Sequence, residues 1–296
     1  MPSPEPTFFA LLIVLAEATF AAGGAVGKFS LNRVDLFGFA VLRALGGFIG
    51  VLLLSILSGK GHELLAVNGS DRSLVIFSTA LFVTGNILYV GALKYGNFSI
   101  VFPLVRSSPL FVLVLAVLLL KERITAPLLL STLLILLGVI LVSGVWLRKR
   151  AQQPPAGNRG VFLALGISVI DAAWIVASKA TVHRVSPNAL AFTQVSAYLL
   201  VSFVLALVFS RLQGVSRRQV ALACGSGFLS WGIGDVIYLL ALREVPAILA
   251  GLLSGTGILF SVAIGSLFFR EELRREHIAG ACLLVAGVTL AAVRGV

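Results

Sequence analysis

Long apolar runs broken by short polar interruptions set the pattern of this chain. Crossing about 30 Å of hydrocarbon as a helix takes roughly 20 consecutive apolar residues. Ten runs of that order are visible, at 8–29, 36–57, 73–93, 98–120, 126–147, 160–180, 188–210, 219–242, 246–269 and 277–293. They are continuous and Leu-rich rather than alternating with period two, so they predict helices and not the strands of an outer-membrane barrel. Ala16-Glu17-Ala18 imitates a signal-cleavage site, yet no Lys or Arg precedes Lys28. A secretory signal needs a basic leading region, so the first run is expected to stay as the first helix.

Composition narrows the class further. The chain is 58% hydrophobic and 12% charged, against about 25% charged for a soluble domain. That excludes a water-soluble globular protein, a disordered chain and a collagenous or disulfide scaffold. The net charge of +11 sits in the short connections, where it reads as a membrane-orientation signal rather than a nucleic-acid surface. An even number of spans puts both termini on one face. More Lys and Arg fall on the opposite face, among them Arg148, Lys149, Arg150, Arg217 and Arg218. The positive-inside rule therefore predicts an inner (plasma) membrane protein with both termini on the non-cytoplasmic side. Cys224 and Cys282 lie far apart in apolar runs, a spacing that offers neither a zinc site nor a disulfide framework.

The second half of the chain repeats the first. Gly85-Asn86-Ile87-Leu88-Tyr89 aligns with Gly234-Asp235-Val236-Ile237-Tyr238. The same offset sets Ala92-Leu93-Lys94 on Ala241-Leu242-Arg243, Lys121-Glu122 on Arg270-Glu271 and Gly138-Val139 on Gly287-Val288. Each copy holds five spans, an odd number, so the second copy enters the membrane upside down relative to the first. Inverted-topology repeats characterise secondary transporters, whose halves alternate around a site near the bilayer midplane. The expected fold is all-α and integral to the membrane, with ten transmembrane helices in two inverted five-helix repeats. Residues 1–147 form the first, 148–159 a polar linker and 160–296 the second.

On these residues the chain resembles the drug/metabolite transporter superfamily, as a ten-helix permease of two EamA-type domains. The resemblance rests on Lys28, Arg43, Tyr89-x-x-Ala92-Leu93-Lys94, Ser108-Pro109 and Glu122, repeated as Lys179, Tyr238-x-x-Ala241-Leu242-Arg243 and Glu271. It departs from the family pattern in two places. Phe20 to Gly24 replaces the usual Trp-Gly of the first helix, and Ser108-Pro109 has no counterpart in the ninth run. The resemblance implies export or exchange of metabolites or drugs across a cell membrane.

A charge at membrane depth costs about 2.5 kcal/mol or more, so ionisable residues inside the runs are the first functional candidates. These are Glu17, Arg43, Arg106, Asp171 and Asp235. Arg106 lies between Pro103 and Pro109, each of which lacks an N–H and frees a carbonyl one turn back. A cation in such an interrupted helix suits an anionic or zwitterionic substrate, or else pairs internally with Glu17, Asp171 or Asp235. Burial favours the neutral form of a carboxyl group, which makes Glu17, Asp171 and Asp235 candidate proton carriers; structural pairing with Arg43 or Arg106 is the alternative. Trp231, Asp235 and Tyr238 share helical spacing with Asn86 and Tyr89 of the first copy. Together with Trp174, they are candidates to line a substrate cavity or, more simply, to pack. Gly251 and Gly255 of the ninth run are candidates for bending, or for static close packing. Lys28 and Lys179 stand near helix ends, where a lysine snorkels to the interface.

No metal cluster, catalytic triad or phosphate-binding loop stands in the sequence, so no enzyme, metal or cofactor is expected. The reading is a secondary transporter exporting or exchanging an amino-acid-like, anionic or drug-like metabolite by alternating access, with or without proton coupling. Its expected partners are a small-molecule substrate and the bilayer, with no nucleic acid, as a monomer or homodimer. A lipid or lipid-linked sugar flippase of the same fold, and a membrane enzyme or receptor without transport, are the alternatives.

Overall fold

A computed structural model describes residues 6–31, 34–95, 105, 108–143, 158–209, 215–269 and 275–294. The regular elements of these residues are helical, as hydrocarbon demands: a helix satisfies its own backbone polar groups where no water can. In chain order they are α1 (Pro6–Leu31), α2 (Leu36–Leu57), α3 (Arg72–Tyr95), α4 (Ser108–Leu120), α5 (Ala126–Ser143), α6 (Asn158–Val182), α7 (Pro187–Phe209), α8 (Arg217–Glu244), α9 (Ala247–Phe268) and α10 (Arg275–Arg294). Helices α1, α2, α3, α6, α7, α8 and α9 are each long and apolar enough to cross a membrane, whereas α4 and α5 are shorter apolar helices among the described residues. The upstream part of the fourth apolar run, with Pro103 and Arg106, lies outside the described residues.

Local chemistry sets several boundaries. Asp35 caps α2 by accepting from the N–H groups of Phe37 (3.1 Å) and Gly38 (3.2 Å), the role a short acidic side chain fills at a helix start. Ser216 and Gln219 form a reciprocal capping box at the start of α8. Two stretches widen to π-helix, Ala116–Leu120 at the end of α4 and Phe228–Gly234 in the middle of α8. The first closes on Lys121, which takes a left-handed backbone at φ 57°.

Helices choose partners from the other half of the chain. α1 packs on α8 and α9, α2 on α7 and α8, α3 on α6 and α7, α4 on α6 and α9, and α5 on α10. The core therefore lies between the halves. Its deepest element is the first part of α9, where Leu249, Ala250, Leu252 and Leu253 are fully buried. Large apolar side chains on the periphery, such as Leu11, Phe162, Leu207 and Leu267, are exposed and suit lipid.

Among the described residues, α2 and α8 approach each other closely at their glycines. A Cβ at Gly46 would fall 1.8 Å from the Cys224 carbonyl oxygen, and one at Gly227 would fall 1.7 Å from the Arg43 carbonyl oxygen. Only bare backbone fits there, so the small-residue spacing of the second run serves close helix packing. That contact lets Arg43 reach the widened stretch of α8.

Candidate functional site

Four helices carry their ionisable residues into one belt: Glu17 on α1, Arg43 on α2, Asp171 on α6 and Asp235 on α8. Glu17 and Asp235 are buried, while Arg43 and Asp171 are half-buried. Arg43, Asp171 and Glu17 all lie within electrostatic range of Asp235. Tyr238 feels all three carboxyl groups.

Aromatic rings from five helices wall this belt. Trp174 stacks on Tyr238 with centroids 5.7 Å apart and an interplanar angle of 22°. Phe82 lies 6.0 Å from Trp174, 6.2 Å from Trp231 and 6.3 Å from Tyr198. Tyr198 stands edge-on to Trp231 at 5.0 Å, and Phe20 is 6.3 Å from Tyr238. The Arg43 guanidinium sits 4.3 Å above the Trp231 ring and donates from Nη2 to Ser230 Oγ at 3.2 Å. A desolvated cation–π contact of this kind is worth about 2 kcal/mol.

Three polar atoms in the belt have no hydrogen-bond partner among the described residues: Arg43 Nε, Trp174 Nε1 and Asp235 Oδ2. Each unmet bond costs about 1–3 kcal/mol, so two donors and one acceptor at the centre of the fold stand ready for a polar ligand. A buried polar network lies nearby, in which Gln194 Oε1 also has no hydrogen-bond partner among the described residues. Gln194 Nε2 donates to Ser78 Oγ (2.8 Å), and the Ser78 and Ser178 hydroxyls are 3.0 Å apart, joining α3, α6 and α7.

The other sequence candidates separate. Tyr238 shares a hydrogen bond with Ser254 (3.3 Å) on α9. Trp231 and Tyr238 contact different rings of the same wall, joined through Phe82 and Trp174. Asn86 donates to the Phe82 carbonyl of its own helix at 2.9 Å. Tyr89 packs against a separate cluster around Ala92, Ala164 and Ile167, yet remains in electrostatic range of Arg43. Pro109 is the second residue of α4, where a missing N–H breaks no intrahelical bond. Gly251 faces Val112 of α4, and Gly255, where α9 turns, faces Ile135 of α5. Pro103 and Arg106 fall outside the described residues. Among the described residues no group of three or more His, Cys, Asp or Glu side chains is arranged to hold a metal ion.

Two residues act in ways that helical spacing does not anticipate. Tyr198, one of the four tyrosines of the chain, is buried in the wall; its polar tip within the Leu-rich seventh run was the signal available. Lys179 does not snorkel. It is buried and donates to the carbonyls of Leu242 (2.9 Å), Arg243 (3.1 Å) and Val245 (2.6 Å). The last turn of α6 lies over the C-terminus of α8, whose final carbonyls lack intrahelical donors and carry partial negative charge. Directly beyond, Glu122 accepts from the N–H groups of Ala247 (2.7 Å) and Ile248 (3.0 Å) and so caps α9.

Neighbouring loops are tied at the same face. Ser186 Oγ and Asn188 Nδ2 donate to Glu63, and Arg184 lies 3.7 Å from Asp71. The Ser186 hydrogen bond holds the Glu63 carboxyl below its ordinary value of 4.5, helped by Asn188, Lys60 and His62 and opposed by burial.

A family model described as the EamA-like transporter family matches residues 7–144 and again 158–293. An uncharacterised protein of Methanocaldococcus jannaschii is 29% identical over 133 residues, which cover 45% of this chain and 94% of that protein. A solved crystal structure at 18% identity aligns over 97% of this chain and 96% of its own with a TM-score of 0.75, a likeness of fold. With both halves matched and apolar helices long enough to span a bilayer, the chain belongs to the EamA-like transporter family, as a multi-pass membrane protein of a transporter kind.

Proposed function

We propose that the protein is a ten-helix permease of two inverted five-helix repeats, residues 1–147 and 160–296 joined by a linker at 148–159. It exports or exchanges a small amino-acid-like, anionic or drug-like metabolite across the cell membrane by alternating access, coupled to protons. The two-fold relation between the repeats is supported by partner choice, and their inversion by the odd number of helices in each. Replacing each helix by its counterpart five positions along turns the α1–α8 contact into α6–α3, α1–α9 into α6–α4 and α2–α8 into α7–α3, while α2–α7, α4–α9 and α5–α10 map onto themselves. A two-fold relation between the halves generates such a set, and with five helices per repeat its axis lies in the membrane plane. Duplication is also supported by the archaeal relative, which is about one repeat long.

The transport reading rests on the belt in which both halves place Glu17, Arg43, Asp171 and Asp235 beside an aromatic wall. Arg43, held in place by Trp231 and Ser230, attracts a carboxylate or other anionic group. Trp174 Nε1 donates to the substrate, and the rings of Trp174, Trp231 and Tyr238 pack on its apolar part. Asp235, with Glu17 and Asp171, exchanges protons as the site turns from one face to the other. Arg106, Asn86 and Tyr89 belong to the same pathway, with Pro103, Pro109, Gly251 and Gly255 shaping the helices that bend.

Purified protein in liposomes, tested with amino acids, organic anions and cationic drugs with and without a pH gradient, is expected to give saturable flux that the gradient accelerates. Absence of saturable flux across that panel overturns the reading. Flux indifferent to the gradient in wild type, and unchanged in Asp235→Asn, removes proton coupling and leaves facilitated exchange.

A further inference from the structure

The α8–α9 joint is a break between two consecutive helices, with buried residues on either side of an exposed turn. Val245 and Pro246 are extended, with ψ 154° and 147°. Leu242, Val245, Ala247 and Ile248 are each no more than 1% exposed. The last carbonyls of α8 and the first N–H groups of α9 have no partner within their own helices; the Lys179 bonds to the Leu242 and Val245 carbonyls are buried, while Arg243, Glu244 and Pro246 at the turn are exposed. Lys179 meets the carbonyls and Glu122 meets the N–H groups, so two side chains satisfy five backbone groups across the break. Each charge also matches the dipole end it faces, and the two lie within electrostatic range of each other. Glu122 comes from the first half of the chain, directed by the left-handed backbone at Lys121; Lys179 comes from the second. The Glu63 contacts and the Arg184–Asp71 pair fence the same face. Lys28, the residue matched to Lys179 in the first copy, is exposed. Equivalent lysines are thus in different states.

We infer that Lys179 and Glu122 form a gate latch at the face bearing the chain termini, holding the α8–α9 joint shut, and that opening the site to that face requires their release. The inference rests on the alternating-access reading above. A structural cap alone would stabilise the fold in every state. A latch also sets how often the central belt meets solvent from one side.

The test uses full-length protein in liposomes of determined orientation, with Cys224→Ser and Cys282→Ala and a single reporter, Thr19→Cys, beside the belt. A membrane-impermeant maleimide is applied from the terminus-bearing side. Lys179→Met is expected to raise the labelling rate about tenfold or more, which corresponds to a shift of about 1.4 kcal/mol toward the state open on that side. Glu122→Gln, which keeps an acceptor but loses the charge, is expected to raise it about threefold. Unchanged labelling in both folded variants overturns the latch; if Lys179→Met does not fold, Glu122→Gln decides alone. Labelling needs no substrate, so a wild type without flux fails the transport reading and leaves this test standing. Normal flux with unaltered labelling fails the latch alone.

Discussion

Two regions of this molecule bury charge, and they treat it in opposite ways. At the α8–α9 joint, Lys179 and Glu122 are answered by backbone, with five hydrogen bonds between 2.6 and 3.1 Å. In the central belt, Asp235, Arg43 and Trp174 each keep a buried polar atom without a hydrogen-bond partner among the described residues. The joint spends its charges on holding helix ends together. The belt holds its charges among side chains from both halves, where a ligand or a proton can change the balance. Substitutions at the joint should therefore register in stability and sidedness, and substitutions in the belt in substrate and proton dependence.

The largest expected effect is Asp235→Asn, which should abolish acceleration of flux by a pH gradient while the protein still elutes as a folded species in detergent. Retained acceleration would move the proton site elsewhere in the belt. Next is Lys179→Met. Losing a charged donor to three carbonyls, two of them in buried bonds, should lower the unfolding free energy by about 3–5 kcal/mol, read as a fall in melting temperature; a loss below about 1 kcal/mol would mean that the carbonyls find other donors. Gly227→Ala drives a methyl group into the Arg43 carbonyl and should cost about 1–3 kcal/mol. Because it also pushes Arg43 off Trp231, it should weaken substrate binding as well, which a stability assay paired with flux kinetics would separate from simple unfolding.

Trp174→Phe sharpens the contrast further. It removes an N–H that makes no bond among the described residues, so melting should shift by no more than the equivalent of about 0.5 kcal/mol, while KM rises several-fold. A KM unchanged from wild type would assign Trp174 to packing alone. The smallest effect concerns Glu63. Its carboxyl titrates lower in the folded protein than in the unfolded chain. The contribution is therefore complete above the unfolded value near 4.5 and is lost as pH falls through the lower folded one. At an exposed site this is worth about 0–1 kcal/mol, and Ser186→Ala should flatten that part of the acid-melting curve.

The membrane helices, the duplication and the belt carboxylates were legible because each leaves a mark in composition or period: an apolar run, a constant offset, a charge where charge is costly. The joint left none. A lysine in the last turn of α6 looks the same whether water or a buried helix end lies beyond it, and the carbonyls it meets are more than sixty residues away. The π-helical stretch at Phe228–Gly234 was equally silent, since one added residue per turn does not alter which residue types are present. Periodicity gives each helix a face without saying what the face meets, so the exchange of partners between halves had to come from the structure.

That exchange bears on how the chain is made. Translation proceeds at about 5–20 residues per second, and α1 has its main contacts in α8 and α9, roughly 200 residues later. The first helix thus sits in the membrane for roughly 10–40 s before its neighbours exist. Through most of that interval Glu17, which ends buried beside Asp235, lacks Asp235 itself and the Trp231 and Tyr238 rings of the finished belt. Insertion of the first half is consequently a waiting state, and its lifetime is set by the ribosome rather than by the fold.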